Sequence, residues 1–161
     1  MPVFVSGLPL HVLVVHAVVV LVPLSVVAAL VVALWPAARR RYGWLAVGVT
    51  AVAGVCIPVA TSSGEDLRDR LVPTELIRQH AQLGDELLVF VAGLFVVLTA
   101  LVWLGRQHKV PTRILTPVLI VLTVALAGVS AVQVVRIGDS GARAAWSGVQ
   151  YTAVQQHHGD G

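Results

Sequence analysis

Charge is scarce in this sequence. Of 161 residues only 12% are Asp, Glu, Lys or Arg, about half the share that a water-facing domain carries. Cysteine is nearly missing as well. The one thiol, Cys56, lies inside an apolar run, which excludes an internal disulfide and predicts a small buried apolar residue. Lysine is reduced to Lys109 beside ten arginines. No glycine-rich phosphate loop, paired Cys-His zinc spacing or serine-nucleophile elbow occurs. No apolar run carries an acidic or basic residue at mid-depth, which argues against an ion-coupled transporter or a voltage sensor.

What remains is apolar: 57% of the chain is hydrophobic and the mean hydropathy is +0.88. Four runs reach the roughly 20 apolar residues that a spanning helix needs. They lie at about Leu8 to Leu34, Trp44 to Thr61, Leu87 to Leu104 and Ile114 to Val135. In lipid such runs must be helices, because an isolated strand leaves its backbone groups unpaired. The expected fold is therefore an all-α integral membrane four-helix bundle. One domain over 8–146 is expected, followed by a polar tail, 147–161, with no apolar anchor. The abundance of Ala, Val and Arg fits a GC-rich bacterial source. The N-terminus "MPVFVSG" has no Lys or Arg, and the first run is longer than a signal-peptide core. That segment is expected to stay in the mature protein.

The charges fall between the runs. "WPAARRRYGW" and "GRQHKVPTR" are basic without an acid, whereas "SSGEDLRDRLVPTELIRQH" mixes both signs. The positive-inside rule then makes the two basic loops cytoplasmic and puts both termini outside. Trp35, Trp44 and Trp103 beside those loops form an inner aromatic belt. The net charge of +3 is thus topogenic and does not point to nucleic acid.

Counting about 20 residues outward from each basic loop brings His11, His80 and Asp139 to one level, just beyond the outer boundary. Glu65 lies near them, with His16 at the boundary itself. His11 and His16 are too badly offset, by about 140° on a helical wheel, to hold one metal between them. The pair worth weighing is His11 with His80, on two helices, as ligands for haem b or a transition metal. Gly84 would leave space beside a flat macrocycle. Interfacial histidines that face headgroup water are the plainer account of the same residues. Ser62 and Ser63 are expected to cap a helix beginning "EDLRDRL", and Asp139 to end the fourth helix and cap a short outer one. Gln133 is expected to bond across helices, and Arg136 or Arg143 to pair with Asp139, Glu65 or lipid phosphate. His157 and His158, in the tail, promise incidental metal affinity only. The halves also echo each other: His11, span, basic loop, span, "TSSGED"; then His80, span, basic loop, span, "GDSGAR".

Together "GLPLHVLVVHAVVVLVPL", "PVATSSGEDL", "RQHAQLGDELL" and "VQVVRIGDSGARAAW" resemble bacterial domain-of-unknown-function family 2231, small four-span membrane proteins. The resemblance runs from about Leu8 to Trp146. It implies that His11, His16, Gly64, Glu65, His80, Gly84, Ser140 and Gly141 occupy the family's marked positions. Members often carry His where this chain has Asp139, so the fourth helix here lacks that imidazole. The resemblance implies architecture and no reaction.

Two functions are expected from these residues. One is a non-catalytic membrane module or accessory subunit in the cell membrane, contacting lipid and a second copy or partner subunit. The other is a haem- or metal-binding redox accessory protein. Its ligands come from His11, His80 and His16, supported by Glu65, Asp139, Ser63, Gly64, Gly84, Ser140 and Gly141.

Overall fold

The computed structural model describes residues 4–5, 8–68, 74–107 and 114–146. The tail histidines lie outside that range. Strands β1 (Phe4–Val5) and β2 (Leu8–Pro9) pair antiparallel ahead of four helices. These are α1 (Leu10–Leu34), α2 (Pro36–Arg68), α3 (Glu75–Leu104) and α4 (Leu115–Trp146). All four are long and apolar enough to cross a membrane. The chain is an all-α four-helix bundle, as the apolar runs predict.

Apolar side chains cover the outside as well as the inside. Val20, Val89 and Val135 are 65–70% exposed on the bundle surface, which suits lipid and not water. Inside, two clusters stack along the axis. One gathers Val26, Ala29, Val32, Ala46, Val47, Leu94, Leu98, Val102 and Ala127. The other gathers Val18, Val22, Ala53, Ile57, Ala60, Leu87 and Val91. Ser25, Thr50 and Thr123 return their hydroxyls to the carbonyls of Leu21, Ala46 and Leu119, one turn back, at 2.7–2.8 Å. Their polarity is thereby absorbed within their own helices.

The helices outrun the apolar windows. The 33 residues of α2 extend about 50 Å, against a hydrocarbon core of about 30 Å. No new helix starts at "EDLRDRL": α2 continues through Arg68, so Ser62 and Ser63 cap nothing. Their hydroxyls bond backward instead, to Pro58 O at 2.7 Å and Ala60 O at 3.0 Å. Likewise α4 runs unbroken past Asp139 to Trp146. In both places a hydroxyl or a side-chain ion pair satisfies the helix locally, and nothing forces it to stop.

The turn between α1 and α2 is a single residue, Trp35. Pro36 has no N–H, so the Val32 carbonyl four residues earlier loses its helical donor. Arg39 supplies the missing donors: Nε to Val32 O at 3.0 Å and Nη2 to Ala33 O at 2.6 Å. It is only 9% exposed. One of the three arginines of the first basic loop is therefore a buried cap. At the same end Arg106 donates to the Arg40 carbonyl at 3.1 Å and lies over Trp44, tying α3 to α2.

Helix α1 packs mainly on α2, and α3 on α4, with further contact between α2 and α3 and between α1 and α4. Helices α1 and α3 touch little and face each other diagonally across the axis. Their buried positions match in register. Val18, Val22, Ser25, Ala29, Val32 and Ala33 of α1 correspond at constant spacing to Leu87, Val91, Leu94, Leu98, Leu101 and Val102 of α3. The amino ends of α1 and α3 thus lie together, remote from the arginine end, and each brings one histidine.

Candidate functional site: a diagonal histidine pair

His11 is the second residue of α1, and His80 lies in the second turn of α3, a helix opened by Thr74. The Thr74 hydroxyl accepts from Ile77 N. Both histidines point inward across the bundle end. Their ring centroids are 6.3 Å apart and their planes meet at 88°, edge to face.

Each ring is held from behind by the helix beside it. His11 Nδ1 lies 2.9 Å from the Ala60 carbonyl of α2. A carbonyl only accepts, so Nδ1 carries the hydrogen and donates. His80 Nδ1 lies 3.0 Å from Ser140 Oγ of α4, and that hydroxyl donates to Ile137 O at 3.0 Å. With its proton committed to Ile137, the Ser140 oxygen accepts from His80. Both imidazoles are therefore fixed as Nδ1–H tautomers, and in the neutral ring Nε2 keeps a free lone pair. Among the described residues neither Nε2 has a hydrogen-bond partner.

Glycine makes the close approach possible. A Cβ at Gly64 would stand 2.9 Å from His11 Cε1, and one at Gly141 would stand 3.1 Å from His80 Cε1. The two halves repeat one constellation: His11 with Ala60, Ser63 and Gly64, then His80 with Ile137, Ser140 and Gly141. Ser63 donates to Ala60 O just as Ser140 donates to Ile137 O. They differ in one respect: His11 reaches the carbonyl directly, whereas His80 reaches it through the serine hydroxyl.

The other expected site residues stand apart. His16 is exposed and turned back on its own helix, Nδ1 to Val12 O at 2.5 Å. Glu65 is exposed. Asp139 pairs with Arg143 at 2.9 Å on the surface, one of the pairings expected for it. A Cβ at Gly84 would stand 3.5 Å from the Thr61 methyl, an ordinary contact distance between α3 and α2. No group of three or more His, Cys, Asp or Glu side chains comes together among the described residues.

Gln133 is 3% exposed and donates from Nε2 to Glu86 Oε2 at 2.9 Å. Its interhelical bond was expected, but its partner was not singled out. Glu86 ends the "GDE" beside Gly84, and helix-wheel comparison of α3 with α4 is the signal that finds it.

The family described as predicted membrane protein (DUF2231) matches residues 7–153. No curated protein and no solved structure matches the chain. The chain belongs to that family, whose description states membrane residence and no activity.

Proposed function

We propose that this protein is a non-catalytic membrane module, or accessory subunit, that holds haem iron or a transition-metal ion between His11 and His80. The observation behind this reading is the pair of fixed tautomers. A ligating histidine ordinarily donates its other ring N–H to a carbonyl or a similar acceptor, which orients the ring and raises its basicity. Both rings here have that arrangement, on two helices, facing one gap.

The site sits at the end opposite the arginines. By the positive-inside rule that end is extracytoplasmic in the plasma membrane, with both termini on the same side. Nothing near the pair resembles a nucleophile with its base, so the chemistry supported is ligation, with redox service to a partner subunit as its use.

The test is a visible spectrum and metal analysis of detergent-purified protein expressed with haem and metals supplied. A Soret band or one metal per chain, lost in His80→Ala and in His11→Ala, is expected. Absence of both cofactor and metal would leave the pair as bundle packing and sink the proposal.

A further inference from the structure

We infer that the arginine end of the bundle holds an anionic phospholipid, its phosphate against Arg41 and Arg106 and an acyl chain on the α2 face that carries Gly48. This site lies at the opposite end from the histidine pair and does not depend on it. Charge, position and surface shape support it.

The charge at that end has no carboxylate of its own. No Asp or Glu occurs before Glu65 or between Glu86 and Asp139. The turn from α1 into α2 and the carboxyl end of α3 nevertheless bring Arg39, Arg40, Arg41 and Arg106. Arg39 is buried and donates to Val32 O and Ala33 O, whereas the other three are exposed. Cations gathered beside a bilayer without acids complement a phosphate headgroup.

Two of these guanidinium groups are already placed. Arg106 reaches from α3 to α2, donating to Arg40 O at 3.1 Å and lying 5.6 Å from the centre of the Trp44 ring. Arg41 lies 5.4 Å from the Tyr42 ring centre. It precedes Trp44 by three residues, so the two are neighbours on the helix surface. Arg41 and Arg106 thus both adjoin Trp44, one along α2 and one across from α3. Stacking on a ring orders a guanidinium and leaves N–H donors on its rim for phosphate oxygens.

The wall beyond Trp44 suits an acyl chain. Arg41, Trp44, Leu45, Gly48 and Val52 fall within about 100° of the helical wheel, and all five are exposed. A Cβ at Gly48 would meet nothing within 4 Å, so this face is notched one turn beyond Trp44 and one turn before Val52. Cations, an interfacial tryptophan and an apolar notch follow one another along a single helix face, in the order of phosphate, glycerol and chain. The notch in line with the arginines is what favours a lipid over free phosphate.

The experiment is native mass spectrometry of the full-length, detergent-purified, delipidated protein titrated with palmitoyl-oleoyl phosphatidylglycerol. Parallel titrations use phosphatidylcholine with the same chains and inorganic phosphate. One phosphatidylglycerol per chain is expected, held in preference to phosphatidylcholine. Arg41→Gln and Arg106→Gln should each weaken retention about fivefold, the effect of one cation at a headgroup. Arg41→Lys/Arg106→Lys, which keeps the charge and loses the fork, should fall between parent and Gln variants. Arg136→Gln, at the histidine end, should change nothing. Gly48→Leu should fill the notch and weaken retention while melting like the parent. Gly128→Leu, the same change at an equally open position on α4, should retain the lipid. Equal retention of the two lipids, or an equal loss in Arg136→Gln, would overturn the site. Inorganic phosphate that displaces the lipid, with Gly48→Leu behaving like Gly128→Leu, would make this a free-phosphate site and overturn the lipid assignment.

Discussion

His11 and His80 meet edge to face, ring centroids 6.3 Å apart, although they belong to diagonally placed helices that touch little. Each is carried to the axis by a neighbour: α2 offers Ala60 O and Gly64, and α4 offers Ser140 Oγ and Gly141. The meeting therefore depends on the anchors and the glycines as much as on the imidazoles.

Gly64→Ala and Gly141→Ala should both disturb the pair. At 2.9 and 3.1 Å the added methyl must push the ring, and the ring is held by its Nδ1 bond. Losing that bond costs about 0.5–1.5 kcal/mol. Gly128→Ala, where no atom lies within 4 Å of the new methyl, is the control. Equal behaviour of all three in SDS unfolding would contradict the close approach.

Arg39→Ala should be the most destabilising change among the basic residues at its end. It strips donors from Val32 O and Ala33 O at a helix terminus, a loss of roughly 1.5–3 kcal/mol for bonds from a charged group. Arg39→Lys should recover part, since one ammonium replaces a two-point fork. Arg40→Ala, at an exposed side chain, should stay within about 0.5 kcal/mol of the parent. Thermal unfolding in one detergent ranks the three.

Ser130→Ala should raise stability. Ser130 is 0% exposed, and its hydroxyl has no partner among the described residues. An unsatisfied buried polar group costs about 1–3 kcal/mol, which alanine removes at nearly constant volume. A lower melting temperature than the parent would mean that the hydroxyl does have a partner in the membrane.

Glu86→Ala should destabilise more than Glu65→Ala, although both carboxylates are exposed. Only Glu86 holds a buried amide, that of Gln133, and its removal strands the N–H that donates to it. The double variant Glu86→Ala/Gln133→Leu should regain most of the loss, since replacing both partners with apolar groups is close to neutral. Additive losses in that cycle would exclude a direct bond.

The spans, their count and the level shared by His11 and His80 were legible because hydropathy and helical rise are one-dimensional quantities. Helix ends were not. Ser63 offers a side-chain oxygen that can either cap a new helix or bond back within an old one. The choice at Ala60 O depends on a backbone that simply continues. Nor does a run of three arginines show which one faces the proline-stripped carbonyl, which is Arg39.

By itself the sequence determined that this chain crosses the membrane four times, because lipid cannot hydrogen-bond a backbone and only uninterrupted apolar helices satisfy that condition. The tertiary structure alone decided what the histidines do. His11 and His16 look alike in sequence, yet one is anchored on α2 and the other turns back on its own helix. That difference comes from which face of α1 meets Ala60 and Gly64. Packing between helices sets it, and local sequence does not.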